Sequence, residues 1–502
     1  MHGAVIHKPI REQGTGTLAT RHFSLRTVVC GLLFAQLCSF AVAAESSFPE
    51  VFDTQDPGDG LTSPPDALRG IKVPPGFHVS LFAAEPDVRQ PIALAMDDRG
   101  RLWVAENYTY ADSAERFDTN LHDRIVILED VDGDGVFDRR KVFWDEARKL
   151  SSIEIGFGGV WALCAPHLLF IPDRDSDDVP DGEPVVMLDG WNADEVGHNI
   201  VNGLRWGPEG WLYGRHGIAA MSSVGTPGMS PIERTRLNCC IWRFHPTSKT
   251  FEVVAQGTTN PWGMDWDDHG QMFFINTVIG HLWHVVPGAL YERMYGEHFN
   301  PHAYQLIQQT ADHVHWDTTE AWHDTPSKGL SRTADQTGGG HAHTGMMIYL
   351  GGNWPDKYRG TLFTANLLGR RINNDRLERH GAGYVGTHAA DFLTVEDPWF
   401  RGIELCYGPD GGVYIADWSD IGECHDNDDI HRTSGRIYKV AYAHPNPVTE
   451  FDLSTLSHAQ LVQLQLTRMT GTCAMPAGCF TSGQSPMRIL QMVTGAELRK
   501  RC

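Results

Sequence analysis

Six times between Gly100 and Gly411 the chain repeats one local pattern, a glycine-bearing turn followed by a short apolar or aromatic run. The copies are DDRGRLWVAE at Gly100, GFGGVWALC at Gly159, GPEGWLYGRHG at Gly210, DDHGQMFFIN at Gly270, KYRGTLFTAN at Gly360 and GPDGGVYIAD at Gly411. Glycine at such a turn supplies the positive φ of a tight hairpin, and the Leu-Trp, Leu-Tyr, Met-Phe, Leu-Phe and Val-Tyr pairs suit half-buried pleated strands. The copies recur every 50 to 90 residues or so, near or above the spacing of propeller repeats. Radial repetition of small sheets also leaves only short exposed edges. The pattern therefore predicts an all-β chain, a six-bladed β-propeller over residues 74–442, with a short C-terminal helical segment. A two-sheet sandwich is the competing arrangement.

The flanks read differently. Arg11, Arg21 and Arg26 precede the apolar run TVVCGLLFAQLCSFAVA, which ends in Ala41-Val42-Ala43. Small residues at those positions suit signal peptidase, so residues 1–44 are read as a secretory signal and the mature protein as periplasmic or extracellular, with an uncleaved anchor as the alternative. Residues 45–73 read as an extended lead-in rich in Pro, Gly and Asp. Residues 443–502 read as a linker and a helical module opening at Asp452 or Ser454. That module loses all period at MTGTCAMPAGCFTSGQ. Codons for Met469–Phe480, read one base earlier, also encode a good helix opening, so the module is read as truncated and frameshifted.

Charge excludes one class of partner. With 41 Lys plus Arg against 63 Asp plus Glu, the formal charge is -22, which repels phosphate backbones, so no nucleic acid is expected. No CxxCH occurs, so no covalent haem is expected on this chain. Of the 10 cysteines, the body of the chain holds Cys164, Cys239, Cys240, Cys406 and Cys424, an odd set whose pairing cannot be deduced.

Two loops carry aspartates at alternate positions. EDVDGDGVFD places Asp130, Asp132, Asp134 and Asp138 at loop positions one, three, five and nine, and PDRDSDDVPD repeats the spacing with Asp173, Asp175, Asp177 and Asp181. Alternate carboxylates on a tight turn converge, as the hard-oxygen cage of calcium requires. Neither loop has the acidic residue of position twelve, where Lys141 and Pro184 stand, and Asp178 replaces the usual glycine of the second loop. Structural calcium is the expectation, and a solvated acidic hairpin the alternative. Among the 25 histidines, GGGHAHTG sets His341 and His343 on one side of an extended segment, a candidate pocket pair. No carboxylate completes a local metal triad there.

The stretches PPGFHVSLFAAEPDVRQPIALAMDDRGRLWVAEN, HNIVNGLRWGPEGWLY, TTNPWGMDWDDHGQMFF and WFRGIELCYGPDGGVYIAD resemble successive blades of the soluble quinoprotein glucose and sorbosone dehydrogenases. NPWGMDWDD, GHLWHVVPGA, GGGHAHTGMMIY and HRTSGRIYKV are similar to the membrane-bound dehydrogenases of planctomycetes and verrucomicrobia. The resemblance runs from about Pro74 to Val440. It implies a pyrroloquinoline quinone pocket at the wide end of the propeller, with His198 as general base on a sugar or polyol hydroxyl. It further implies Asn260 and Arg401 as cofactor contacts and a cytochrome c as electron acceptor. The chain departs from the dehydrogenase pattern where Thr259 stands for an Arg and Leu368 for a Lys, each a cation lost from the cradle of a tricarboxylate. Two further readings stay open: an inactive propeller binding a glycan or protein partner, and a metal-dependent hydrolase or lactonase using the histidine pair.

Overall fold

The computed structural model describes residues 48–461, apart from 56, 57, 59, 113, 278, 312–337, 341, 423–429, 444–451 and 458. The expected signal segment, the tail with its proposed frameshift, His341 and Cys424 lie outside the described residues.

The described chain is almost all strand, arranged as six small sheets around one axis. The innermost strands are Pro91–Met96, Leu150–Ile155, Asn202–Trp206, Pro261–Trp266, His343–Ile348 and Gly402–Tyr407, and each packs beside the next until the sixth meets the first. The six-bladed propeller read from the turns is the observed fold. Each turn joins the first strand of a blade to its second. Gly100, Gly210, Gly270, Gly360 and Gly411 all have φ between 74° and 82°. In the second blade the positive angle falls one residue earlier, on Gly158 (φ 78°). Gly159 serves close approach instead, because a Cβ there would stand 2.2 Å from the Ile171 carbonyl oxygen.

Closure is made by the two ends of the propeller. Phe77–Ala84 pairs antiparallel with Arg436–Tyr442, so an N-terminal strand completes the last blade, with Phe77 opposite Tyr442. The fourth blade has three strands among the described residues, and Leu290–Arg293 joins the third blade instead, parallel to Thr250–Thr258. Long apolar side chains fill the spaces between sheets: Trp103, Trp161, Trp191, Trp242, Trp283 and Trp399 are each at most 2% exposed.

The flanks depart from their sequence reading in two details. Within the lead-in, Pro64–Arg69 is a helix rather than extended chain. Ser63 caps its N-terminus, proline occupies the first turn and Asp66 adds a favourable negative charge there. After the propeller, Asp452 caps only the single turn Leu453–Thr455. The helical stretch that follows starts from Ser457, whose backbone N–H donates to Gln460 Oε1 at 2.9 Å while Gln460 N approaches the Ser457 hydroxyl at 3.4 Å, a capping box. No helix among the described residues is long and apolar enough to cross a membrane.

Candidate functional site

The loops that enter the inner strands surround a funnel at one end of the axis, holding about 1080 Å³ of space with the solvent of its mouth included. Ile92, Ser151, Trp262, Thr344 and Ile403 line it from the starts of the inner strands. Tyr110, Phe117 and Trp418 add aromatic wall. The Tyr110 and Trp418 rings meet edge to face at 5.9 Å between centroids.

All three residues implied by the resemblance, His198, Asn260 and Arg401, line this one funnel. They come from three places: the loop before Asn202–Trp206, the residue before Pro261–Trp266, and the residue before Gly402–Tyr407. The Pro-Trp-Gly start of the strand after Asn260 needs its glycine, since a Cβ on Gly263 would lie 2.4 Å from that of Met346 in the next blade. Glycine here lets two inner strands approach and fixes where Asn260 stands.

The polar lining differs in what it has left to offer. Asn107 Nδ2 donates to the Leu150 carbonyl at 2.6 Å, Ser151 to that of Val201 at 2.7 Å and Thr344 to that of Gly402 at 2.8 Å. These groups are committed to the wall. Asn260 is 4% exposed, and its Oδ1 has no hydrogen-bond partner. A buried polar atom left unpaired costs about 1–3 kcal/mol, so Asn260 is where a ligand hydroxyl or amide would be rewarded.

Arg401 is committed in the opposite sense. Its Nε donates to the Gly422 carbonyl at 2.7 Å and its Nη1 to those of Pro398 and Phe400 at 2.8 and 2.9 Å, while Nη2 reaches that of Ile421. The guanidinium ties down a loop. Lys149, which no motif marked, is the other cation of the lining; its Nζ lies 3.5 Å from Asp194 and 5.5 Å from the centre of the Phe117 ring. Asp112 and Asp420 line the same funnel and balance the two positive charges. Thr259 and Leu368, where the dehydrogenase pattern has cations, are absent from the lining, and Arg371 pairs with Asp391 at 2.7 Å. The described residues therefore do not fit a tricarboxylate quinone: their charge is balanced and their one guanidinium is occupied.

His343 stands away from the funnel. It is 1% exposed, lies 3.0 Å from Asn373 Oδ1 through Nε2, and packs on the His281 ring at 5.1 Å between centroids. His281 in turn contacts Asp375 at 3.1 Å, so the histidine is part of a buried polar cluster between the fourth and fifth blades.

Deeper along the axis the same inner strands carry charge. Glu154, Arg205, Asp265 and Glu404 converge there, with Arg205 Nη2 3.4 Å from Asp265 Oδ1. Arg215, which no motif marked, joins them from Leu212–His216 and is 3% exposed. The reason is Gly203, at φ 65° on the facing strand: a Cβ there would overlap the Arg215 guanidinium at 1.2 Å. Burial raises the Glu154 carboxyl to about 7, with Arg205 pulling against it, and burial also raises Asp265 and Glu404.

The aspartate loops sit away from the axis. Oxygens of Asp130, Asp132 and Asp138 come within 4.8 Å of one another in the first, and those of Asp173, Asp175 and Asp177 in the second. Asp134 and Asp181, expected as ligands, are outside these groups: Asp134 accepts from Val136 N at 2.8 Å, and Asp181 from Arg174 N at 2.7 Å. The thiols of Cys164, Cys239, Cys240 and Cys406 are buried and free.

Comparison with known proteins gives a family and a set of fold likenesses. A family model described as a domain of unknown function, DUF7133, matches residues 63–444. No curated protein matches the chain. Among solved structures, the chain is similar to a glucose dehydrogenase-type oxidoreductase from Thermus thermophilus, at 16% identity and a TM-score of 0.47, covering 73% of this chain and 100% of that one. It is similar to the quinone-bound aldose sugar dehydrogenase of Streptomyces coelicolor, at 17% identity and 0.44, covering 74% and 100%. A third is the quinone domain of pyranose dehydrogenase from Coprinopsis cinerea, at 13% identity and 0.45, covering 74% and 97%.

Proposed function

The chain belongs to the DUF7133 family, and from its funnel we propose a propeller that binds a sugar or polyol at the wide end of its axis. One observation carries the reading: Asn260, whose buried Oδ1 has no partner, lines a funnel walled by Tyr110, Phe117, Trp262 and Trp418. Aromatic faces cover the apolar side of a sugar ring, and a few placed polar groups fix its hydroxyls, which is the usual economy of a small-molecule pocket. A neutral polyhydroxylated ligand also suits a lining whose charges cancel.

A second reading, an oxidoreductase of the sugar dehydrogenase type, is favoured by His198 on the same rim. A neutral imidazole can take the proton of a ligand hydroxyl as its carbon is oxidised. The hydride acceptor would have to bind without the two missing cations. Export from the cytoplasm and a cytochrome c acceptor belong to this second reading.

Titration of the full chain with a panel of neutral sugars and polyols, followed by tryptophan fluorescence, separates the two. The binding reading expects a saturable change that His198→Ala retains. The dehydrogenase reading adds dye reduction, with calcium and pyrroloquinoline quinone supplied, that His198→Ala abolishes. A flat response across the panel refutes the sugar reading.

A further inference from the structure

The two aspartate loops share a spacing but not an electrostatic state. In the first, both oxygens of Asp130 accept backbone N–H groups, from Gly133 at 2.7 Å and Gly135 at 2.9 Å. The Lys439 ammonium, from Arg436–Tyr442 in the sixth blade, stands 3.6 Å from Asp130 and 3.0 Å from Asp410. The protein thus supplies the first loop with a cation of its own.

The second loop also has cations against it, but among the described residues none forms an ion pair with the carboxylate of Asp173, Asp175 or Asp177. Arg101 grips Asp178 through both terminal nitrogens, at 2.7 and 2.8 Å, and also holds Asp97 of its own turn at 2.8 Å. Lys141 donates to the Asp177 main-chain carbonyl at 2.7 Å, and Arg99 to that of Ser176 at 2.6 Å. Asp178, which stands where a glycine is usual, is therefore an anchor to the first blade and not a ligand. The carboxylates of Asp173, Asp175 and Asp177 remain gathered on one another, and Asp173 is 7% exposed with an Oδ1 that has no hydrogen-bond partner. A buried carboxylate oxygen without a partner, inside a group of three acids, costs free energy that a proton or a cation would relieve.

We propose that Asp173, Asp175 and Asp177 form a calcium site, and that it binds more tightly than the first loop, where Lys439 already supplies a positive charge. Three carboxylates at alternate positions leave the remaining coordination to main-chain oxygen and water, which the flexible shell of calcium accepts more readily than the strict octahedron of magnesium. Held between a bound ion and the Arg101–Asp178 pair, the loop 173–178 fastens the second blade to the Asp97–Arg101 turn of the first.

The test is calorimetric titration of the chelator-stripped full chain with calcium chloride, with magnesium chloride as the control. The expected result is saturable calcium binding in the wild type and in Asp130→Asn, weakened at least tenfold in Asp173→Asn. Should Asp173→Asn fold poorly, the exposed ligand Asp175→Asn gives the same weakening, together with loss of the calcium-induced rise in the unfolding midpoint. Wild-type affinity in both second-loop variants, loss confined to Asp130→Asn, or no saturable binding up to millimolar calcium would each overturn the assignment.

Discussion

The two ends of the axis are built from the same six strands and do opposite things with polarity. At the mouth, the first residues of the strands are apolar or committed to the wall, and Asn260 of the lining keeps a buried Oδ1 without a hydrogen-bond partner. Deeper along the axis, Glu154, Arg205, Asp265, Glu404 and Arg215 gather acids and bases against one another. A charged layer of that kind is closed on itself, because removing either partner strands the other in low dielectric. The mouth is open because its pairing is incomplete. Recognition is therefore expected where polar atoms lack partners, and stability where charges have them.

The largest effect should come from breaking the closed layer. Arg205→Ala leaves Asp265 and Glu404 without their central cation and should cost about 3–5 kcal/mol in urea unfolding. A loss below about 1 kcal/mol would mean that the layer is well hydrated and not a closed unit. At the mouth, Trp418→Ala should weaken ligand binding by about 30-fold, roughly 2 kcal/mol, with little change in unfolding. Equal damage to binding and stability by that variant would erase the contrast between the two ends.

A subtler contrast is in pH. The Glu154 carboxyl is raised to about 7 in the fold from 4.5 in its ordinary state, so the folded chain holds a proton that the unfolded chain releases first. The stability tied to this group is complete below the lower value and is lost as pH rises through the higher one. Glu154→Gln should therefore gain on the wild type in unfolding midpoint between about pH 5 and pH 8. A pH-independent difference between the two would place the carboxylate in contact with solvent.

How much of this the sequence carried depends on what each residue uses as a partner. The glycine turns are local, and all six fell on the same hairpin of their blades. His198 and Asn260 came from resemblance, and the structure does bring them to one funnel. Arg215 gave no signal because Leu212–His216 is buried on both faces, so no alternation separates inward from outward positions. The commitment of Arg401 was invisible because its acceptors are main-chain carbonyls, two of them some twenty residues away, which any sequence would provide. Lys149 sits between two blades at φ 54°, in no motif. The aspartate spacing was legible in both loops, but Lys439, which distinguishes them, arrives from about 300 residues later in the chain.

The central claim is that an unpaired oxygen in an aromatic funnel marks the ligand site, and Asn260→Leu tests it most directly. The variant keeps the bulk of the side chain and removes the acceptor. Calorimetry of the full chain with the tightest sugar or polyol of the panel should show affinity lowered by up to about tenfold, with the unfolding midpoint equal to or above that of the wild type, because a buried unpaired oxygen has been removed. Unchanged affinity together with a lowered midpoint would show that Asn260 belongs to the wall and that the ligand binds elsewhere.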